Sequence, residues 1–350
     1  MNPYGEVGPA HGAGVVGRQS GAGQPLGSAG PLRDVGLDEV LERATQIAQS
    51  MRSVIAGKDD VIATTLTVLL AEGHLLIEDV PGVGKTMLAK ALARSIDASV
   101  RRVQFTPDLL PSDITGVSVY NQELRDFEFR PGAVFANVVV GDEINRASPK
   151  TQSALLEPME EGQVTVAGTT YGLPTPFVVM ATQNPIEMEG TYPLPEAQRD
   201  RFMARVSMGY PTPHSEVRML QTHGAHNPLD DIRPVTDAGT VAAMVRAVSR
   251  VHAADSIQQY IVDIAVATRQ SAALRLGASP RAALHLLRAS RAHAALVGRD
   301  HVLPDDVQAV VVPVLAHRLH PTGETQMARR STQDVLIDLL GRVRVPAPRL

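Results

Sequence analysis

Short apolar runs alternate with amphipathic stretches over the first two thirds of the chain. The runs with the length and composition of buried strands are residues 75–77, 100–105, 138–140, 177–182 and 203–208. Stretches of helical character lie between them, and this alternation is typical of a parallel sheet with helices on its faces. We therefore predict an α/β core built on a parallel five-stranded sheet.

Helical spacing of apolar residues appears on both sides of this predicted sheet. It runs from residue 37 to residue 56, where Gly57 ends the helix, and a second helix follows over residues 60–71. Prolines mark residues 211–235 as a linker. Beyond the linker, an all-α lid domain is predicted from helices at 241–251, 257–271, 281–296 and 304–317.

The start of the chain has a different character. Residues 1–33 are rich in Gly, Pro and Ala and lack periodic apolar residues. They can bury too little apolar surface to offset the conformational entropy lost on folding, so we expect a disordered tail. We divide the remainder into an α/β core, residues 34–212, and a helical lid, residues 213–350. No apolar stretch approaches the roughly 18 residues of a membrane helix, and no secretory signal pattern is present. A cytoplasmic protein is expected.

Composition limits the chemistry that the chain can perform. Its 350 residues are 44% hydrophobic, enough for about two domains and a sizeable core. The chain has no Cys, which excludes disulfides and thiolate metal sites. The formal net charge of −4 argues against broad nucleic-acid binding, which usually shows as a basic surplus.

A phosphate-binding motif lies directly after the first strand candidate. Residues 79–86 read Asp-Val-Pro-Gly-Val-Gly-Lys-Thr and precede a helix-forming stretch. Backbone N–H groups of such a loop converge on phosphate at a helix N-terminus, while Lys85 reaches the β and γ oxygens and the Thr86 hydroxyl binds Mg²⁺. The usual pattern begins with Gly where this chain has Asp79, so a chance glycine-rich turn is the alternative. We predict that the loop binds a nucleoside triphosphate.

Two adjacent carboxylates follow the third strand candidate. Asp142 and Glu143 come directly after Val-Val-Val-Gly, at the carboxyl end of a parallel strand, where open α/β sheets bind their ligands. This is a Walker B arrangement. Asp142 is expected to hold Mg²⁺ through water, and Glu143 to orient and deprotonate the attacking water. An acidic pair alone usually lies on the solvated surface, but its position after a phosphate loop predicts nucleotide hydrolysis.

Further motifs resemble one family. They are Gly-Asp-Glu-Ile-Asn-Arg-Ala at 141–147, Lys-Thr-Gln-Ser-Ala-Leu-Leu-Glu at 150–157, Ala-Thr-Gln-Asn-Pro at 181–185 and Leu-Pro-Glu-Ala-Gln-Arg-Asp-Arg-Phe at 194–202. Together they resemble the MoxR family of AAA+ ATPases, from about residue 36 to about residue 340. The resemblance implies an ATP-driven chaperone-like ring, expected to be a hexamer. Members often act with von Willebrand factor A domain proteins to assemble or activate other complexes, including by metal-cofactor insertion.

The resemblance also assigns roles to residues outside the two motifs. Asn184 takes the sensor 1 position, although Asn before Pro commonly just starts a turn. Arg201 takes the position of the arginine finger, which acts on a neighbouring subunit's γ-phosphate, and Arg199 and Arg205 are competitors for that role. Arg281 takes the sensor 2 position. A cation at a helix N-terminus is costly unless an anion lies in front of it, which favours a phosphate contact.

The expected cofactors are ATP and Mg²⁺, with Mg²⁺ held by Thr86 and Asp142. Adenine is expected at a hinge between core and lid. The full expected nucleotide-contacting set is Val54, Ile55, Gly57, Pro81, Gly82, Val83, Gly84, Lys85, Thr86, Met87 and Asp142.

Three points stay open at this stage. One rival function is a nucleic-acid motor or loader, which the acidic balance does not favour. Another is a nucleotide-gated scaffold that binds ATP and scarcely hydrolyses it. Residues 163–176 are predicted to form a β-hairpin, which either faces a ring pore or packs on its own subunit.

Overall fold

The computed structural model describes residues 34–80, 82–184, 190–210, 213, 216–217 and 227–346. The predicted tail, Pro81 and part of the predicted linker lie outside these residues. The predicted boundary between residues 212 and 213 also falls at this incompletely described segment, so it stays a prediction.

A parallel five-stranded sheet forms the centre of the core, as predicted. Its strands are β1 (Leu75–Glu78), β2 (Val100–Gln104), β5 (Val138–Asp142), β8 (Val178–Gln183) and β9 (Ala204–Val206). They lie in the order β2-β5-β8-β1-β9, and every neighbouring pair is parallel. The phosphate loop therefore follows a strand near the middle of the sheet, and Asp142 ends a strand two places away.

The sheet divides its side chains between two apolar cores. Leu75 and Ile77 of β1 pack into a large core with the helices, whereas Leu76 between them enters a second core with Phe105 and Phe202. Successive residues of a strand point to opposite faces, and helices or loops cover both faces of this sheet. This explains why the strands appear in the sequence as continuous apolar runs.

Helices flank the sheet and form the lid. In the core they are α1 (Leu37–Arg52), α2 (Asp59–Leu70), α3 (Lys85–Ser95), α4 (Pro111–Thr115), α5 (Pro149–Ser153), α6 (Leu156–Glu161) and α7 (Glu196–Arg199). In the lid they are α8 (Ala238–Ser249), α9 (Asp255–Gln270), α10 (Pro280–Leu296), α11 (Pro304–Leu315), α12 (Gly323–Met327) and α13 (Thr332–Leu340). Helix α10 packs against α1 and α2, so the lid and the core share one continuous apolar cluster.

The structure refines several sequence predictions. Helix α1 ends at Arg52 rather than at residue 56, because the chain turns before Gly57. The four predicted lid helices are present, and α12 and α13 follow them. The lid also contains a short antiparallel pair, β10 (Leu274–Leu276) with β11 (His320–Pro321). These strands are too short for a periodic pattern to predict them.

Two hairpins project from the core. Strands β3 (Gly116–Asn121) and β4 (Asp126–Pro131) form one antiparallel pair. Strands β6 (Gln163–Val166) and β7 (Thr169–Gly172) form the hairpin predicted within residues 163–176. Phe129 of the first hairpin stacks on Tyr171 of the second, with ring centroids 3.9 Å apart. The two hairpins are therefore packed on each other in this subunit.

Among the residues that the structure describes, no helix is both long enough and apolar enough to cross a membrane.

Candidate functional site

The loop between β1 and α3 has the backbone of a phosphate cradle. Gly82 has φ 84° and Gly84 has φ 92°, the left-handed region that glycine enters at little cost. A Cβ atom added at Gly82 would meet nothing within 4 Å, so the loop faces open space there. The Lys85 ammonium donates to the backbone oxygens of Asp79, at 2.6 Å, and Gln183, at 3.5 Å. The lysine is thus held beside the loop by neutral carbonyl oxygens.

Asp79, the departure from the usual loop pattern, has a structural role. Its Oδ2 accepts hydrogen bonds from the Gly209 N–H at 2.5 Å and the Ser207 hydroxyl at 3.0 Å, and its Oδ1 accepts from the Val80 N–H at 2.8 Å. Burial alone would raise the pKa of this carboxyl, but hydrogen bonds led by that from Gly209 lower the pKa below its ordinary value. The carboxylate ties the start of the phosphate loop to the segment after β9.

Hard oxygen ligands suitable for Mg²⁺ converge beside the loop. The Thr86 hydroxyl lies 3.2 Å from Asp142 Oδ2 and 3.5 Å from Oδ1. The Thr182 hydroxyl donates to Asp142 Oδ1 at 3.2 Å, and Asp142 itself is 6% exposed. One hydroxyl and one carboxylate at the end of parallel strands, next to open space for phosphates, fit the few protein ligands that Mg²⁺ uses in nucleotide sites. The predicted metal pair is therefore brought together.

Glu143 is held in an uncommon backbone conformation. Its φ of 57° and ψ of 48° are left-handed, which is rare for a residue with a side chain, and its N–H donates to the Thr182 hydroxyl at 3.1 Å. Its carboxylate accepts a hydrogen bond from Gln104 Nε2 at 2.8 Å and pairs with Arg146 Nε at 3.0 Å. The candidate base thus lies at the surface of the site, between an amide and a guanidinium.

Arg102, Gln104, Arg146 and Thr182 were not identified from the sequence. Arg102 and Gln104 lie two residues apart on β2, and therefore on one face of that strand. Arg102 and Gln104 could be assigned to the site from this spacing together with the pairing of Gln104 opposite Asp142. Strand order is needed to use it, because β2 and β5 are separated by the first hairpin in the sequence.

The predicted sensor 1 and adenine positions lie on two segments of the core. Asn184 follows β8, is 7% exposed, and its backbone oxygen accepts from Asn145 Nδ2 at 3.4 Å. Val54 and Ile55 are buried, with their side chains in the larger apolar core. The adjacent Lys58 donates to the Tyr210 backbone oxygen at 3.2 Å. The segment around Gly57 thereby lies close to the residues that Asp79 anchors.

The predicted finger and sensor 2 arginines meet at one carboxylate. Arg201 donates to Glu160 Oε2 from Nε at 3.1 Å and from a terminal nitrogen at 2.8 Å. Arg281 pairs with the other oxygen of Glu160 and lies 3.9 Å from an Asp200 oxygen. Neither arginine forms a hydrogen bond or ion pair with the described residues of its own phosphate loop. Arg281, for which a phosphate contact is predicted, pairs in the structure with Glu160 beside Arg201.

The two alternative candidates for the arginine finger, Arg199 and Arg205, have partners within the subunit. Arg205 pairs with Glu78 of β1, whereas Arg199 contacts His320 of the lid. Burial lowers the pKa of Arg199, and nearby Glu196 opposes that effect. Both arginines thus stabilise packing within one subunit.

Comparisons with known proteins agree with this geometry. Residues 74–204 match the sequence model of the family described as "ATPase family associated with various cellular activities (AAA)". Residues 266–338 match that of the AAA lid domain. The two matches fall on the α/β core and on the lid.

Relatives of nearly full length are similar to the chain. It is 50% identical to YeaC of Bacillus subtilis over 86% of this chain and 94% of that protein. It is 38% identical to Chaperone MoxR1 of Mycobacterium tuberculosis over 95% of this chain and 91% of that protein. A crystal structure of a proposed ATPase from Cytophaga hutchinsonii matches with a TM-score of 0.82 and 36% identity, covering 89% of this chain and 97% of that one.

Proposed function

The chain belongs to the MoxR family of AAA+ ATPases, and from this premise we propose that it binds ATP with Mg²⁺ at residues 82–86 and hydrolyses it. The observation that carries the proposal is the convergence of Thr86, Asp142 and Glu143 beside the N-terminus of α3, which begins at Lys85. Phosphoryl transfer to water requires a hydroxyl, a metal-binding carboxylate, a base and an ammonium next to a phosphate cradle.

Each residue has a separate task in the proposed reaction. The N–H groups of the loop and the start of α3 bind phosphate oxygens, and Lys85 exchanges its carbonyl partners for the β and γ oxygens. Thr86, together with Asp142 through water, would hold Mg²⁺, which would neutralise charge on those oxygens. Glu143 orients the attacking water and accepts its proton. Asn184, at the end of the adjacent strand, hydrogen-bonds the water or the γ-phosphate.

We also propose that the active site is completed by a neighbouring subunit. Arg201 and Arg281 lie together at Glu160 and form no hydrogen bond or ion pair with the described part of their own phosphate loop, which supports their acting on the γ-phosphate of an adjacent chain. Their charges would stabilise the transition state there. A closed ring follows from a head-to-tail contact of this kind, and a hexamer is the size that the family leads us to expect.

ATP turnover in such a ring would remodel, assemble or activate partner protein complexes. We propose a chaperone-like role in the cytoplasm with a von Willebrand factor A domain partner, including insertion of a metal cofactor into a client. The relative named Chaperone MoxR1 supports the chaperone-like part of this proposal.

The experiment separates nucleotide binding from chemistry. Glu143→Gln should keep affinity for ATP within a few-fold and lose most turnover, because the amide keeps the shape but cannot accept the proton. Lys85→Ala should fail at binding. Matched controls are Glu161→Gln, an exposed glutamate at the end of α6, and Lys90→Ala, further along α3. Fluorescent-nucleotide titration with phosphate release measures both steps, and normal turnover by Glu143→Gln with tight binding by Lys85→Ala would contradict the assignment.

A nucleotide-gated scaffold is the second candidate function, and one observation favours it. Glu143 is paired with Arg146 at 3.0 Å, which occupies the carboxylate that must accept a proton. A protein in which this pair persists would bind ATP and turn it over slowly. Steady-state phosphate release by the wild type and by Glu143→Gln, each with and without a candidate partner, decides between the two functions. Only an ATPase shows turnover that Glu143→Gln abolishes.

A further inference from the structure

Asp142, the proposed metal-binding carboxylate, is already paired with a cation of its own chain. The Arg102 Nε atom donates to Asp142 Oδ2 at 2.6 Å, a short, charge-assisted contact. Arg102 comes from β2, which lies at the edge of the sheet beside β5. The same guanidinium also donates to Gln104 Oε1 at 3.2 Å.

The arginine occupies the carboxylate oxygen that a metal ion would need. Of the two Asp142 oxygens, Oδ2 is the nearer to the Thr86 hydroxyl, at 3.2 Å against 3.5 Å for Oδ1. A cation held by Thr86, and by Asp142 through a water molecule, would therefore need Oδ2 to accept from that water, and Arg102 now donates there. The two cations compete for one carboxylate oxygen.

The burial of the two partners fits an exchangeable counter-ion. The Asp142 side chain is 8% exposed, and a buried carboxylate without a positive partner is costly. The Arg102 side chain is 55% exposed, so its guanidinium can leave the carboxylate and enter water without a large desolvation cost. A deeply buried arginine would have no such exit.

We propose that Arg102 is an internal counter-ion that neutralises Asp142 in the nucleotide-free protein and that Mg²⁺ displaces when it arrives with nucleotide. Arg102 thereby raises the Mg²⁺ concentration that nucleotide binding requires. This counter-ion role rests on the proposed function, because it presupposes that Asp142 helps to hold Mg²⁺.

The neighbouring Arg101 provides a matched control. It lies on the same strand and carries the same charge, and strand geometry directs it to the opposite face. Arg101 makes no ion pair with any residue in the described part of the chain. Arg102→Gln and Arg101→Gln therefore change net charge equally, and only the first removes the partner of Asp142.

The test is a Mg²⁺ titration of the binding of a fluorescent ADP analogue. We expect Arg102→Gln to lower the half-saturating Mg²⁺ concentration by about fivefold, the ratio appropriate to a partly exposed ion pair. Arg101→Gln should leave it within about twofold of the wild type, as screened surface charges do. Without nucleotide and Mg²⁺, Arg102→Gln should have the lower melting temperature of the two variants. Arg102→Lys keeps a cation but lacks the Nε donor, so its midpoint should fall between them.

Other results would overturn the proposal. Equal midpoints for the two glutamine variants would show that Arg102 does not compete with Mg²⁺, and a raised midpoint for Arg102→Gln would show that it helps to bind the nucleotide complex. The wild-type protein tests the premise separately. If its nucleotide affinity did not respond to Mg²⁺, the proposed site at Thr86 and Asp142 would fail, whatever Arg102 does.

Discussion

At the scale of single residues, His74 and His317 are buried, and His285 is half-buried, where the core meets the lid. His74 donates from Nε2 to the Met159 backbone oxygen at 2.9 Å and accepts from the Val179 N–H at Nδ1, at 3.0 Å. Burial lowers its pKa to about 4. Burial, together with Arg318, lowers the pKa of His285 to about 2 and that of His317 well below its ordinary value. All three are therefore neutral in the folded protein near neutral pH.

These histidines predict a loss of stability in mild acid. The unfolded chain takes up protons below a pKa of about 6.5, whereas folded His74 resists protonation until about pH 4. Their contribution is thus fully present above pH 6.5 and falls as the pH drops from 6.5 towards 4. Each histidine adds a slope of up to about 1.4 kcal/mol per pH unit to the free energy of unfolding. Urea titrations at pH 7.5, 6.5, 5.5 and 4.5 would measure the combined slope.

The contribution of one histidine can be isolated. His74→Gln should be less stable than the wild type at pH 7, because buried hydrogen bonds are disturbed, and it should show a shallower dependence on pH. His252→Asn alters an exposed histidine and should keep the wild-type slope. Parallel curves for the wild type and His74→Gln would contradict the assignment.

At the scale of secondary-structure elements, Asp79 joins two segments that both contribute to the site. It directly follows β1, at the start of the phosphate loop, and its carboxylate accepts a hydrogen bond from the Gly209 N–H beyond β9. Met208 from the same segment lies 3.8 Å from the position of a Cβ atom on Gly84, so the anchored segment also borders the phosphate loop. The usual pattern has a flexible glycine at this position. In this chain the aspartate side chain instead holds the backbone in place by hydrogen bonds.

Asp79→Ala should therefore loosen the loop. Removing the carboxylate leaves the partly buried Gly209 N–H without its acceptor, and such an unsatisfied donor costs up to about 3 kcal/mol. We expect the free energy of unfolding to fall by that amount and nucleotide affinity to fall with it. Asp263→Ala, a change on the exposed face of α9, is the control. Wild-type stability and affinity in Asp79→Ala would show that the loop does not depend on this anchor.

At the scale of the whole molecule, Asp200 connects the predicted finger to the lid. Both Asp200 oxygens accept from the Ser279 hydroxyl, each at 2.9 Å, and Oδ1 lies 3.1 Å from Arg318 Nε. Arg318 is almost completely buried, and burial lowers its pKa to about 10, against the opposing effect of Asp200. Arg201, the predicted finger residue, follows Asp200 directly and is thus fixed to the lid of its own subunit. Movement of the lid would therefore move Arg201 as well.

A mixing experiment tests whether Arg201 acts on the neighbouring subunit. Lys85→Ala and Arg201→Ala should each be nearly inactive, yet mixed rings contain sites with an intact loop from one chain and an arginine from the next. Partial ATPase activity should return. Lys85→Ala mixed with Glu143→Gln is the control, since neither chain then supplies a complete loop and base. No recovery in rings shown to be mixed would assign Arg201 to its own subunit or to structure alone.

Much of this architecture follows from local sequence patterns. Continuous apolar runs predicted the five strands, because a strand buried on both faces has no polar side. The glycines of the phosphate loop and the carboxylates after β5 predicted a nucleotide site at one edge of the sheet, because parallel strands end together there. Helical periodicity likewise predicted the main lid helices, although α12 and the pair β10–β11 were too short to produce a signal.

Tertiary structure alone decided which charges meet. Arg102 is 40 residues from Asp142, and Arg281 is 121 residues from Glu160, so no local spacing connects them. Strand order brings β2 beside β5, and packing of the lid on the core brings α10 to α6. The sequence by itself thus determined the elements and predicted the nucleotide chemistry, since both depend on neighbouring residues. The counter-ions of that chemistry depend on how distant elements pack.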